Sequence, residues 1–132
     1  MVDLVCVDPK LVHQVWPHAR SLIKSAIEYT GLSDFIDIED AVLTGEQLLW
    51  LAWDGNAIDA AATTHLVKIG KTVLILTACA GHNRERWLPL FEQIETYAKN
   101  EGAACVRIYG RKGWERVLTG YRVEHVILEK AL

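Results

Sequence analysis

The sequence predicts an α/β (α+β) domain: a mixed, mostly antiparallel sheet flanked by helices, in the order β-α-α-β-β-β-α-β-α-β. Three observations carry this. Thr72–Ala80 and Ala104–Tyr109 are apolar runs separated by the turn Gly81-His82-Asn83 and an amphipathic stretch, Arg84–Asn100, stopped near Gly102. Two strands with a helix between them pair in parallel through a right-handed crossover. Ahead of them the period is two, with turn signals at Asp54-Gly55-Asn56 and Ile69-Gly70-Lys71, which predicts an antiparallel meander. Finally, 132 residues suit one core, so residues 1–132 are expected to form one domain.

In order, Leu4–Val7 reads as a short first strand, and Asp8-Pro9 opens the next element. Val12, Val15, Trp16, Ala19, Leu22, Ile23, Ala26 and Ile27 recur at helical spacing up to a stop at Gly31. Pro17 places the start of that helix near Trp16, with the proline in its first turn. Asp34–Leu43 is a second helix ended by Gly45. Its acidic run Asp37–Asp40 reads as a solvated face with favourable charge near a helix N-terminus, or as a site for a cationic substrate. Gln47–Trp53, Ala57–Val67 and Thr72–Ala80 are the meander strands. After Tyr109 come a basic turn, Gly110–Gly113, a short helix, Trp114–Thr119, and a last strand, Arg122–Lys130.

Charge divides unevenly. Residues 1–60 carry three basic and ten acidic side chains, and residues 61–132 carry eleven and seven, within a net charge of −3. The second half can therefore face an anionic ligand, while the excess falls short of what nonspecific nucleic-acid binding uses. No 18-residue apolar run predicts a membrane span, and the N-terminus lacks the pattern of a secretory signal. Cys6, Cys79 and Cys105 are scattered in apolar runs, which predicts buried, reduced thiols and a cytoplasmic location. The five histidines have no metal-ligand spacing, so no metal is expected. Trp16, Trp50, Trp53, Trp87 and Trp114 are expected mostly in the core, with Trp50, Trp53 and Trp87 also suited to a pocket or a dimer interface.

The order of elements, taken with Leu90-Phe91, Ala98 and Gly102 on the helix after the turn and Gly120-Tyr121 before the last strand, resembles the Gcn5-related N-acetyltransferases, the GNAT superfamily. The similarity covers nearly the whole chain and extends to short phage- or prophage-type GNAT-like proteins. It implies acetyl-CoA as cofactor, held by backbone N–H groups of a glycine-bearing loop after the third meander strand. Counting back from Leu90-Phe91 aligns that loop with His82–Trp87, where His82 stands at the usual Gln/Arg place and Glu85 and Trp87 at the two small positions. Arg84 and Arg86 would offset the charge of Glu85 through their side chains. The resemblance thus makes Thr77, Ala78, Cys79, Gly81, His82, Asn83, Arg84, Glu85, Arg86 and Trp87 the cofactor-binding residues.

Arg116 stands where many members of the superfamily carry a Tyr that reprotonates the leaving thiolate, with Tyr109 and Tyr121 close by in sequence. Glu46, His65 and His82 are the side chains suited to accept a proton from an amine, and Glu46, His65 and Tyr121 make up the catalytic set. Arg107, Arg111, Lys112 and Arg116 form a further basic group for anion contact. Two readings follow. One is acyl transfer from acetyl-CoA to an amine of a small molecule or peptide. The other is a non-catalytic GNAT-like module for binding or assembly. An exposed sheet edge and many tryptophans suit a homodimer in either case.

Overall fold

The computed structural model describes residues 2–110 and 113–132. Arg111 and Lys112 of the basic turn lie outside the described residues. Five strands form one sheet in sequential order: β1 (Asp3–Cys6), β2 (Leu48–Trp53), β3 (Ile58–Ile69), β4 (Lys71–Gly81) and β5 (Cys105–Ile108). The first three neighbouring pairs are antiparallel, and β4–β5 is parallel. The meander and the parallel junction are as the sequence predicts.

Two helices cover one face. The first, α1 (Val12–Thr30), buries Val12, Trp16, Ala19, Ile23 and Ile27, a stripe at 3.6-residue period. The second, α2 (Phe35–Thr44), starts at Asp34, whose side chain accepts the Ile36 N–H. Both end on a left-handed glycine, Gly31 and Gly45. The stripe of α1 packs with Ile38, Val42, Leu49, Leu51, Ala61 and Ala78. On the opposite face Trp50, Ala52, Ala60, Ala62, Leu74 and Leu76 meet Trp87, Phe91, Ile94 and Ala98.

Four expectations need correction. Helix α1 begins at Val12, ahead of Pro17, and carries the proline inside it. Pro17 removes one helical N–H, and burial of Val12 and Trp16 on the sheet side sustains the first turn regardless. The stretch after β4 is not one helix. It divides into α3 (Arg84–Trp87), a 3-10 turn (Leu88–Leu90) and α4 (Phe91–Asn100). Pro89 is the cause, since it cannot donate to the carbonyl four residues back and its ring crowds that carbonyl. Residues 122–130 form no strand; only Tyr121 and Val123 tie the segment's start, through Glu95 and Glu115. Strand-forming residues alone do not make a strand without a paired neighbour. Lastly, Cys6 is exposed because it ends the edge strand β1, while Cys79 and Cys105 are half-buried. Four tryptophans are wholly or partly buried; Trp53, at the end of β2, is exposed.

Candidate functional site

The site begins with two places where a strand carries one residue too many. Along β3 and β4, Thr63 pairs with Ala78 and Thr64 with Leu76, so Thr77 has no partner and bulges out of β4. A bulge bends its strand and sharpens the local twist. The parallel ladder between β4 and β5 ends at the same level, at Leu76 opposite Ile108. Beyond it β4 runs on to Gly81 without β5 beside it. A buried polar cluster fixes the bulge. Thr77 Oγ1 lies 2.7 Å from both Gln47 Oε1 and Thr63 Oγ1, and 3.3 Å from the Thr63 carbonyl. All three residues are buried, and a buried hydroxyl left unpaired would cost about 1–3 kcal/mol.

The second bulge is Asp59 on β3, between the pairs Ala52–Ala60 and Trp53–Ile58. Its carbonyl accepts the His82 N–H at 2.7 Å, which ties the end of β4 to the start of β3. The approach is tight enough that a side chain at Gly81 would run into the Asp59 carbonyl and Ala60. Glycine is required there on steric grounds. The chain then turns through Asn83 in the left-handed region (φ 54°) into α3.

Where β4 outruns β5, a crevice of about 870 Å³ opens. One wall is Cys79, Ala80 and Gly81, followed by Asn83, Arg84, Glu85 and Trp87. The opposite wall is Tyr109, Gly110 and Gly113 with Trp114, Arg116 and Val117 of α5 (Trp114–Val117) and its flank. The C-terminal end of α1 closes a third side with Ser25, Ala26, Tyr29 and Thr30. A separate void between α4 and the sheet holds about 20 Å³ and is lined by apolar groups. That is room for roughly one water and not for a ligand.

Of the ten predicted cofactor residues, Cys79, Gly81, Asn83, Arg84, Glu85 and Trp87 line the crevice. Thr77 and Ala78 are buried behind it at the bulge. The backbone of His82 is engaged on both sides: its N–H bonds Asp59, and its carbonyl accepts the Trp87 indole N–H at 2.7 Å. That bond, with ring contacts to Phe91 and Trp114, folds Trp87 into the α4 cluster and leaves it 5% exposed. Arg86 faces away from the crevice and pairs with Asp59 at 3.2 Å and Asp54 at 3.7 Å. Asp54 caps the β2–β3 turn through the N–H groups of Asn56 and Ala57, which hold its carboxyl below the usual carboxylate range.

The predicted acid–base residues are not in the lining. Glu46 and His65 stand 3.9 Å apart on their own. The Tyr121 hydroxyl donates to Glu95 at 2.7 Å; burial and that carboxylate raise its pKa well above the usual phenol value. Burial pushes the Cys79 thiol up to about 12, so it is not a thiolate at neutral pH. Of the second basic group, Arg116 reaches the crevice. Sequence reasoning missed Ser25, Tyr29 and Thr30. The available signal was a polar edge beside the apolar stripe of α1, with Ser25 and Tyr29 one turn apart. Among the described residues, no three His, Cys, Asp or Glu side chains stand together to hold a metal ion. No helix among them is long and apolar enough to cross a membrane.

Arg84 and Arg116 give the crevice basic side chains from both walls, and its size is that of a small-molecule site. An anionic, extended ligand suits it. No known family profile and no curated protein matches the sequence. Solved structures do match over nearly their full length. An aminoglycoside acetyltransferase from an uncultured soil metagenomic sample, in complex with sisomicin, is 12% identical with a TM-score of 0.70, over 99% of this chain and 95% of that one. A second aminoglycoside acetyltransferase from a soil metagenomic sample is 13% identical with a TM-score of 0.70, over 100% and 97%. A predicted acetyltransferase from Clostridium acetobutylicum, crystallised with acetyl-CoA, is 13% identical with a TM-score of 0.63, over 98% and 96%. The chain has the GNAT fold, that of the Gcn5-related N-acetyltransferases.

Proposed function

We propose that this protein is an acetyl-CoA-dependent N-acyltransferase acting on an amine of a small molecule or peptide. The observation that carries the reading is the crevice opened at the parallel junction by the Thr77 bulge, with Arg84 and Arg116 in its lining. The residues present fit the cofactor. The volume of about 870 Å³ accommodates it, and the two guanidinium groups match its phosphates. Trp87, packed into the α4 cluster, leaves the bulk of its ring out of the ligand's path. When bound, acetyl-CoA would supply an acyl group activated as a thioester.

The chain's own residues then have distinct tasks. Arg84 and Arg116 bind anionic groups, and Glu85 sets a limit on how many can approach. The Thr77 bulge and its buried partners keep the crevice open. Glu46 and His65, 3.9 Å apart, are the candidate proton acceptors, reached through water because neither side chain lines the crevice. Tyr121, tied to Glu95, acts as a positioning residue at the end of α5. In this reading the protein is cytoplasmic and homodimeric.

One observation favours a second reading, a non-catalytic GNAT-like module of the phage or prophage type: none of Glu46, His65 and Tyr121 reaches the crevice. Thermal unfolding with added acetyl-CoA separates the two. At about 100 times its dissociation constant a ligand stabilises by roughly 2.7 kcal/mol, which raises the melting temperature by several degrees. Arg84→Ala and Arg116→Ala should each weaken the effect about tenfold in concentration. No stabilisation at millimolar acetyl-CoA sinks the enzyme reading.

A further inference from the structure

Arg84 and Arg116 account for an anionic ligand, and the rest of the crevice lining has a different chemistry. Among the described residues no charged side chain lines the α1 side, which presents Ser25, Ala26, Tyr29 and Thr30. Tyr29 is 70% exposed and Tyr109, just beyond β5, is 38% exposed, yet both line the crevice. Their rings therefore stand at its rim. The face of an aromatic ring is its negative pole, and it attracts a cation lying within about 6 Å. Tyr29 and Thr30 are also the last two residues of α1, a 19-residue helix capped by Gly31 with no basic side chain in its last turn. The C-terminal end of such a helix carries about half a negative elementary charge. Lys24, further back on α1, is engaged by Glu28 at 3.9 Å and by the Phe35 ring at 5.8 Å.

We propose that the crevice rim at the C-terminal end of α1 is a cation site, in which the rings of Tyr29 and Tyr109 hold the ammonium group of an amine that has no carboxylate beside it. The helix end and the two ring faces act in the same sense, each favouring a positive charge. The hydroxyls of Ser25 and Thr30 supply acceptors for the ammonium N–H groups. The exclusion of a neighbouring carboxylate follows from the same charges. Such a group would meet the negative helix end, and the two arginines of the lining serve the anionic ligand. An amine on a ring or an alkyl chain is thus favoured over an α-amino acid. That this amine is the acyl acceptor rests on the acyltransferase reading; the cation site itself stands without it.

Ligand-observed NMR on the full chain tests it, with cyclohexylammonium as the probe and cyclohexanol and glycine as its uncharged and zwitterionic counterparts. Cyclohexylammonium should bind in the millimolar range and more tightly than cyclohexanol, and glycine should not displace it. Tyr29→Leu and Tyr109→Leu should each weaken its binding about two- to fivefold. Tyr29→Phe and Tyr109→Phe, which keep the rings, should retain it. Melting temperatures confirm that the variants fold. No binding at tens of millimolar, equal binding of cyclohexanol, displacement by glycine, or leucine variants indistinguishable from wild type overturns the proposal. So does loss of binding in Glu85→Gln with both leucine variants unaffected, which would place the cation at the turn after β4, where Glu85 lines the crevice. Stabilisation by acetyl-CoA without ammonium binding sinks the cation site and leaves the enzyme reading standing. Ammonium binding that depends on the two rings, with no response to acetyl-CoA, upholds the site and sinks the enzyme reading.

Discussion

Arg84 and Arg86 are two residues apart and do opposite things. On a helix, positions two apart point to nearly opposite sides, so one guanidinium lines the crevice while the other turns to Asp59 and Asp54. The carboxylate of Asp59 is 8% exposed, and one of its oxygens has no hydrogen-bond partner apart from that ion pair. Arg86→Ala should therefore lower stability by about 2 kcal/mol, the cost of a buried charge left alone. It should leave the crevice's affinity for anions unchanged. Arg86→Ala with Asp59→Asn should recover much of the loss in urea unfolding; strictly additive losses would show that the two side chains are not coupled. The sequence placed both arginines in the aligned loop His82–Trp87, and the choice between them rested on the phase of a four-residue helix. Periodicity does not resolve so short an element.

Beside their apolar contacts, helices α1 and α2 are tied by one carboxylate. Glu39 accepts from the Trp16 indole N–H at 2.7 Å and from Arg20 Nε at 2.6 Å. These bonds, Arg20's first, hold its carboxyl below the usual range. A depressed folded-state value contributes stability above the unfolded carboxylate pKa and loses it as pH falls through the folded one. Glu39→Gln should thus cost about 1 kcal/mol at pH 7, with the gap to wild type closing below about pH 4. A gap that persists at pH 2 would assign the effect to packing. At this scale most of the fold was legible: the stripe of α1, the Asp34 cap, the meander turns and the parallel junction all follow from period and punctuation. The exceptions share a cause. Pro17 and Pro89 both break a helical pattern, yet burial of Val12 and Trp16 overrides the first, while nothing comparable overrides the second. The strand expected at residues 122–130 has the right residues and no neighbour, and composition does not reveal a missing neighbour.

Across the whole molecule the acidic half supplies α1 and α2, and the basic half supplies β4, the turn after it and α5. Both crevice arginines come from the basic half. If anions bind there, raising sodium chloride from 50 to 500 mM should weaken acetyl-CoA binding by about three- to tenfold through screening. An affinity independent of salt would remove Arg84 and Arg116 as its phosphate contacts. The bulges at Asp59 and Thr77 were not legible at all, because β3 and β4 are buried on both faces there and show no alternation for a surplus residue to break. Thr77 nevertheless shapes everything after it. Deleting that one residue would restore an unbroken ladder, with Ala78 still opposite Thr63 and every later β4 side chain on its present face. β4 would then no longer have a reason to part from its parallel neighbour. The presence or absence of a binding cleft here amounts to a single codon.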